Sequence, residues 1–293
     1  MTIVLLSKLS LMPQIPFVSN SGQKLSKNKA KFRFAPLNWS CSLLLSLSLT
    51  VSLAEVVRAN SPESAPREVK EILSAMEGAA NTKNSEQVEQ FYSPSFVNSD
   101  GLNRSDLMAG ITELWNRYAE VSYRTELQSW EQQNNQIVVE TITYIKGIQA
   151  VQGKTTNLDA TLRSRQYWEN NQIVRQDILE EKTVLTSGDN PPEVRINLPQ
   201  TVRAGRQFFF DAIVTEPLGD DILLGIALDE DVNPQRYTDS SKFELDLLPA
   251  GGIYKVGRAP LETGSRWISA ILIRSDGMTI VSQRLQVVES SFN

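Results

Sequence analysis

The chain has 293 residues, 41% of them hydrophobic and 22% charged, a composition that builds packed cores in one to two domains without help from disulfides. It contains no His, and its single Cys, Cys41, lies in an N-terminal leader. A His- or Cys-based zinc site, a Ser-His-Asp or Cys-His triad and a disulfide are therefore excluded from the remainder. In positions 1–59, Lys8, Lys24, Lys27, Lys29, Lys31, Arg33 and Arg58 stand against one acid, Glu55, so the body from Asn60 onward is more acidic than the overall −5. An acidic body without a basic stripe predicts no nucleic-acid partner and no anionic membrane surface.

Residues 1–59 read as a secretory signal peptide. A basic run, Lys24 to Arg33, precedes a short apolar core, Ser42 to Ala54, and Val57-Arg58-Ala59 offers a small-residue cleavage site. The apolar core is shorter than the roughly 20 residues of a membrane span. The expectation is cleavage near Ala59 and export to a periplasm, a lumen or the exterior, with no stable membrane insertion afterwards. An uncleaved anchor, lengthened by Leu37 and Trp39, is the alternative. Cys41 precedes the apolar core, which does not suit a lipoprotein anchor.

Residues 60–187 predict an α+β domain. Asn60 to Arg67 is a Pro/Ser linker with Pro66 at the start of a helix. Val69, Ile72, Leu73, Met76, Ala79 and Ala80 recur at helical spacing up to Asn81. Ser85 is expected to cap a short second helix with Val88, Phe91 and Tyr92 inward, and Ser93-Pro94 ends it. Phe96 to Asn98 reads as a short strand and Ser99-Asp-Gly101 as a turn. A third helix, about Ser105 to Tyr118, is capped by Asn103 or Ser105 and buries Leu107, Met108, Ile111, Leu114, Trp115 and Tyr118. Asn103-Arg-Ser105 also fits a glycosylation sequon, and the cap explains it better. Four long strands follow: Val121–Trp130, Gln136–Ile148, Leu158–Trp168 and Gln172–Thr186. Asn134-Asn135 and Asn170-Asn171 join two of the pairs, because Asn tolerates the positive φ of a type I′ turn. Gln149 to Asn157 is expected to form a longer loop.

This order resembles the nuclear transport factor 2-like family, which includes SnoaL-like polyketide cyclases and ketosteroid isomerases. The residues that carry the resemblance are Val88-Glu-Gln-Phe-Tyr92, the strand-turn from Phe96 to Gly101, the helix from Asn103 to Tyr118 and the hairpin Tyr167-Trp-Glu-Asn-Asn-Gln-Ile-Val174. They span about residues 66–187 and contain no catalytic signature. The resemblance implies a cone-shaped curved antiparallel sheet with three N-terminal helices closing a pocket at its wide end. It also implies a homodimer as one arrangement. Polar residues on pocket-facing positions would then form the site: Tyr92, Asn98, Trp115, Tyr118, Tyr123, Glu140, Tyr144, Arg163, Tyr167, Arg175 and Asp177. The family's enzymes use a strand Asp or His as general base, so here Asp177 or Glu140 would serve, with Tyr123 as proton-transfer partner. Strand period two groups Glu140 with Tyr144, Arg163 with Arg165 and Tyr167, and Arg175 with Asp177 and Leu179, and leaves open which face is concave. The alternative is a solvated sheet face with cross-strand ion pairs.

Residues 188–293 predict a second, all-β domain, an immunoglobulin-like sandwich without the inter-sheet disulfide. Gly188 and Pro191-Pro192 mark the boundary. Short β-runs recur at Val194–Leu198, Gln207–Val214, Ile222–Leu228, Lys242–Leu248, Gly252–Arg258, Arg266–Arg274 and Met278–Val288, with Asp276-Gly277 as a hairpin turn. Asp229-Glu-Asp-Val-Asn233 opens like a calcium loop, but Pro234 stands where Gly is needed and Ser240 where Glu is needed, so an acidic loop and no metal are expected.

Together these features lead to an exported, non-catalytic two-domain protein that binds a small hydrophobic or amphipathic molecule, or a protein partner, through the cone. No cofactor is implied. The alternatives are an isomerase, cyclase or dehydratase using a buried carboxylate and a Tyr, and a dimeric scaffold whose cone is filled by side chains. Cavity volume and the state of the carboxylates separate them.

Overall fold

The computed structural model describes residues 59–151, 154–217, 219, 221–237, 243–248 and 251–289, and residues 1–58 of the expected signal peptide, with Cys41, lie outside them. A 3₁₀ turn at Pro62–Ser64 occupies the expected linker. Helix α1 runs Arg67–Asn81, with Pro66 at the cap position instead of inside the first turn. Val69, Leu73, Ala79 and Ala80 are buried along it, as helical spacing requires. Lys83 follows in a left-handed conformation at φ 53°. Its Nζ donates to the carbonyls of Tyr118 at 2.9 Å and Ala119 at 3.0 Å, a cation placed at the C-terminal end of the helix that closes at Arg117.

Helix α2 spans Ser85–Gln90, and the residue that caps it is Asn84, whose Oδ1 accepts from Gln87 N at 3.0 Å. The expected cap, Ser85, is already helical. Strand β1, Tyr92–Asn98, starts earlier than expected because its first residues pair with a distant strand, out of sight of local pattern. Helix α3, Arg104–Arg117, has a full capping box between Asn103 and Asp106.

Four long antiparallel strands follow: β2 Glu120–Gln133, β3 Gln136–Val151, β4 Lys154–Glu169 and β5 Gln172–Gly188. Asn170 and Asn171 both have positive φ, whereas at the β2–β3 turn only Asn134 does. The β3–β4 ladder continues to Val151 opposite Lys154, so most of the expected long loop is strand. Register shifts at Leu127/Ser129 in β2 and at two points of the β4–β5 ladder bend the sheet. The helices pack on one face, with Val69, Leu73, Leu107, Ile111 and Leu114 in one core with Tyr123, Val139 and Ile145. The result is α+β, mostly antiparallel sheet with few helices, in keeping with a cone-type fold.

Beyond β5 the chain forms β6 Val194–Asn197, β7 Thr201–Arg203, β8 Gln207–Val214, β9 Leu224–Asp231, a 3₁₀ turn Pro234–Tyr237, β10 Asp246–Leu247, β11 Gly252–Arg258, β12 Gly264–Arg274 and β13 Gly277–Val288. Sheet pairing runs across the expected boundary. One sheet has the order β10-β9-β12-β13-β5-β4-β3-β2, with β13 antiparallel to β5 over Lys182–Gly188. A second sheet, β11-β8-β6, covers its C-terminal end. Phe208, Phe210, Ala212 and Ile253 of this layer share a core with Ile268, Ala270, Leu272 and Leu285 of the long sheet. The hairpin turn between β12 and β13 falls on Ser275-Asp276, since Arg274 pairs with Gly277. Gly277 serves a different need: a Cβ there would lie 2.4 Å from the Pro191 backbone.

One edge of β5 is shared. β1 pairs with it in parallel at Ile173, Arg175 and Gln176, and β13 takes over from Lys182. Between the two, side chains complete the edge: Ser99 Oγ accepts from Ile178 N at 3.0 Å, and Gln286 Nε2 donates to Ile178 O at 3.1 Å.

Candidate functional site

Tyr92 of β1, Trp115 of α3, Tyr118 just after α3 and Tyr123 of β2 are all buried in the core between the helices and the sheet. Trp115 Nε1 donates to Tyr123 Oη at 2.9 Å, and burial raises the Tyr92, Tyr118 and Tyr123 hydroxyls well above the ordinary tyrosine range. Tyr118 packs closely against Gly147, where a Cβ would come within 2.8 Å of its ring. A space beside Met76, Tyr92, Tyr123, Thr143 and Gln166 has a volume of about 30 Å³. That is room for about one water molecule. Asn98 is also buried, and it braces its own turn: its Oδ1 accepts from Asp100 N and Leu102 N at 3.0 and 2.8 Å.

The other candidates lie on the opposite, outward face. Glu140 accepts from Arg165 at 2.5 Å and from Arg163 at 3.1 Å, and Arg163 also reaches Glu180 at 2.8 Å. Burial pushes the Glu140 carboxyl up, but its hydrogen bonds and charge pairing with Arg165 and Arg163 outweigh this and hold it below the usual range. Tyr167 Oη donates to Asp177 at 3.2 Å, and Arg175 pairs with the same carboxylate at 2.8 Å. Tyr144 donates to Glu126 at 3.3 Å beneath the Arg124 guanidinium. The structure therefore does not bring Glu140 or Asp177 to Tyr123. Alternation along the strands puts the carboxylates on one side of the sheet and the phenol on the other.

A different constellation sits where β1 and β13 meet along β5. Arg284 of β13, 0% exposed, faces Asp100, 2% exposed, and Glu181, 5% exposed. Its Nη1 and Nη2 donate to Asp100 at 2.9 and 2.7 Å, and its Nε and Nη2 donate to Glu181 Oε2 at 3.1 and 2.9 Å. Tyr237 donates to Asp100, and Trp267 Nε1 donates to Glu181 at 3.2 Å. One guanidinium faces two buried carboxylates. Burial, despite Arg284 and with the Asp100 charge adding to it, pushes Glu181 up to about 7. Sequence reading missed this group. Asp100 and Arg284 are 184 positions apart, and no spacing rule joins them.

Asp229 and Asp231, which open the calcium-like stretch, both pair with Arg266. No cluster of acidic residues able to hold a metal occurs among the described residues, and none of their helices is long and apolar enough to cross a membrane.

A protein family described as a domain of unknown function, DUF8623, matches residues 189–288. No curated protein matches the chain. Among solved structures, Bd1075 of Bdellovibrio bacteriovorus is similar at 17% identity and a TM-score of 0.27, over 38% of this chain and 38% of that one. A scytalone dehydratase-type protein of Novosphingobium aromaticivorans is similar at 8% identity and a TM-score of 0.33, over 38% of this chain and 80% of that one. A protein of Catenulispora acidiphila with a ketosteroid isomerase-like fold is similar at 11% identity and a TM-score of 0.28, over 37% of this chain and 83% of that one.

Proposed function

We propose that the protein is a non-catalytic scaffold that works through its outer surface, with a protein partner in place of a small molecule inside the cone. The observation that supports this reading most is the interior cavity of about 30 Å³, far below the roughly 300 Å³ at which small-molecule sites begin. The carboxylate-and-tyrosine alternative needs a carboxylate poised near the working pH beside a reactant. Glu140 is lowered, and Glu181, which is raised, is sealed beneath Arg284 and Trp267. In this reading the protein is exported, as the leader implies, and the C-terminal sandwich, immunoglobulin-like in the number and spacing of its strands, presents the binding surface.

Native mass spectrometry of the mature chain tests it. The expected species is the bare polypeptide. A retained small molecule whose removal shifts the NMR signals of Tyr123 and Gln166 would overturn the scaffold reading and restore the cone as a ligand site.

A further inference from the structure

Strand β8 is half covered. Its edge away from β11 pairs with β6, but only from Val194 opposite Val214 to Asn197 opposite Asp211. On its other edge β11 accompanies it from Gly252–Ile213 to Arg258–Gln207. The direction of the backbone groups follows from two hydrogen bonds. Thr215 N donates to Glu193 O on the β6 side, and Val214 N donates to Gly251 O on the β11 side. Successive residues of an antiparallel strand alternate sides, so Ile213, Asp211, Phe209 and Gln207 turn N–H and C=O toward β6. Beyond Asn197 the next residue in register, opposite Phe209, is Pro199, which has no N–H to give. The chain then leaves for β7, which pairs with β13 in the other sheet. The β6 ladder stops short of Phe209 and Gln207, and no turn or loop backbone hydrogen bond meets their outward edge among the described residues.

The place that β6 vacates is a groove of about 510 Å³, bordered by Leu198, Pro199, Arg203, Arg206, Gln207 and Phe209. Phe209 is 65% exposed at its rim. Arg203 and Arg206, like Arg195 and Arg258, have no carboxylate within pairing distance among the described residues, whereas Arg163, Arg165, Arg175, Arg266, Arg274 and Arg284 each have one. In an acidic protein, this strand slot is flanked by uncompensated positive charge.

We propose that this groove receives an extended, acidic peptide segment of a partner protein, added antiparallel to β8 in the place that β6 leaves. The backbone of Gln207 and Phe209 supplies strand hydrogen bonds, Phe209 offers an apolar contact, and Arg203 and Arg206 select carboxylates. The site rests on the scaffold reading above and gives it a partner class.

The test uses the mature chain and two synthetic peptides, Glu-Val-Glu-Val-Glu and Lys-Val-Lys-Val-Lys, each with blocked ends. With the acidic peptide, amide hydrogen exchange of Gln207 and Phe209 is expected to slow while that of Phe208 and Phe210 stays unchanged. The double variant Arg203→Glu, Arg206→Glu, altered only at exposed side chains, is expected to weaken binding by about tenfold or more. Equal binding of the basic peptide, or binding without protection of these two amides, would overturn the proposal. So would protection of the same amides in the peptide-free protein together with a dimer mass, since the occupant would then be a second copy. Failure here leaves the filled-cone scaffold standing, whereas a small molecule retained in the cone would sink that reading without touching this result.

Discussion

Arg284 and Asp100 meet as a two-pronged pair at 2.9 and 2.7 Å, neither reaching solvent, and they join strand β13 to the turn that follows β1. Glu181 shares the same guanidinium. Removing Arg284 alone leaves two carboxylates buried without a countercharge. Arg284→Met is expected to destabilise the fold by about 3–5 kcal/mol, measured by urea unfolding. Replacing Asp100, Glu181 and Arg284 together with apolar residues of similar volume is expected to cost much less, since an intact buried ion group stabilises little beyond its own desolvation.

The same cluster gives stability a definite pH dependence. Glu181 is raised from 4.5 to about 7, so the folded state holds a proton that the unfolded state releases. That contribution is complete below pH 4.5 and is lost as the pH rises through about 7; by linkage it amounts to about 3 kcal/mol at most. The unfolding midpoint is expected to fall between pH 5 and pH 8, and Glu181→Gln is expected to flatten this slope.

Glu140 behaves oppositely. Its lowered carboxyl contributes stability above the unfolded value, and this is lost as the pH falls through the folded one. Its side chain is 15% exposed and its two arginine partners about 40% exposed, so the ladder is screened by solvent. Glu140→Gln is expected to change stability by less than about 1 kcal/mol, and by less still in high salt. A loss as large as that of Arg284→Met would refute the assignment of this face as a solvated ladder.

Two glycines separate crowding from freedom. A Cβ on Gly277 would meet the Pro191 backbone at 2.4 Å, whereas one on Gly78, exposed in α1, meets nothing within 4 Å. Gly277→Ala is expected to destabilise by about 1–3 kcal/mol as neighbouring backbone moves. Gly78→Ala is expected to stabilise by about 0.5–1 kcal/mol, because Ala restricts the unfolded chain. Paired thermal melts check both.

The parts legible in the sequence are those set by local chemistry. Val69, Leu73, Ala79 and Ala80 face inward as their spacing requires, and Asn170-Asn171 makes the turn that positive φ demands. The composition of the outward ladder was legible too, as one of two readings of Glu140, Arg163 and Asp177. Which face turns inward was not, because it depends on which side the helices settle. Glu181 was hidden by a bulge. Strict alternation from Asp177 and Leu179 would turn it outward, but the register shift between Arg163 and Ser164 leaves one residue of β5 unpaired and rotates Glu181 into the core. The half-covered edge of β8 was equally hidden, since the sequence of β6 does not say where its partner runs on without it.

Strand β13 is the latest described strand in chain order, yet it lies in the middle of the long sheet. A polypeptide growing from its N-terminus therefore completes its helices and its meander while one edge of β5 is still bare from Lys182 to Gly188. Asp100 and Glu181 have no countercharge until Arg284 emerges. A nascent chain halted before Gly277, or one cut there by a protease, would carry an open strand edge and two acids that cannot be interred. Such a fragment invites edge-to-edge association and degradation out of proportion to the length it has lost.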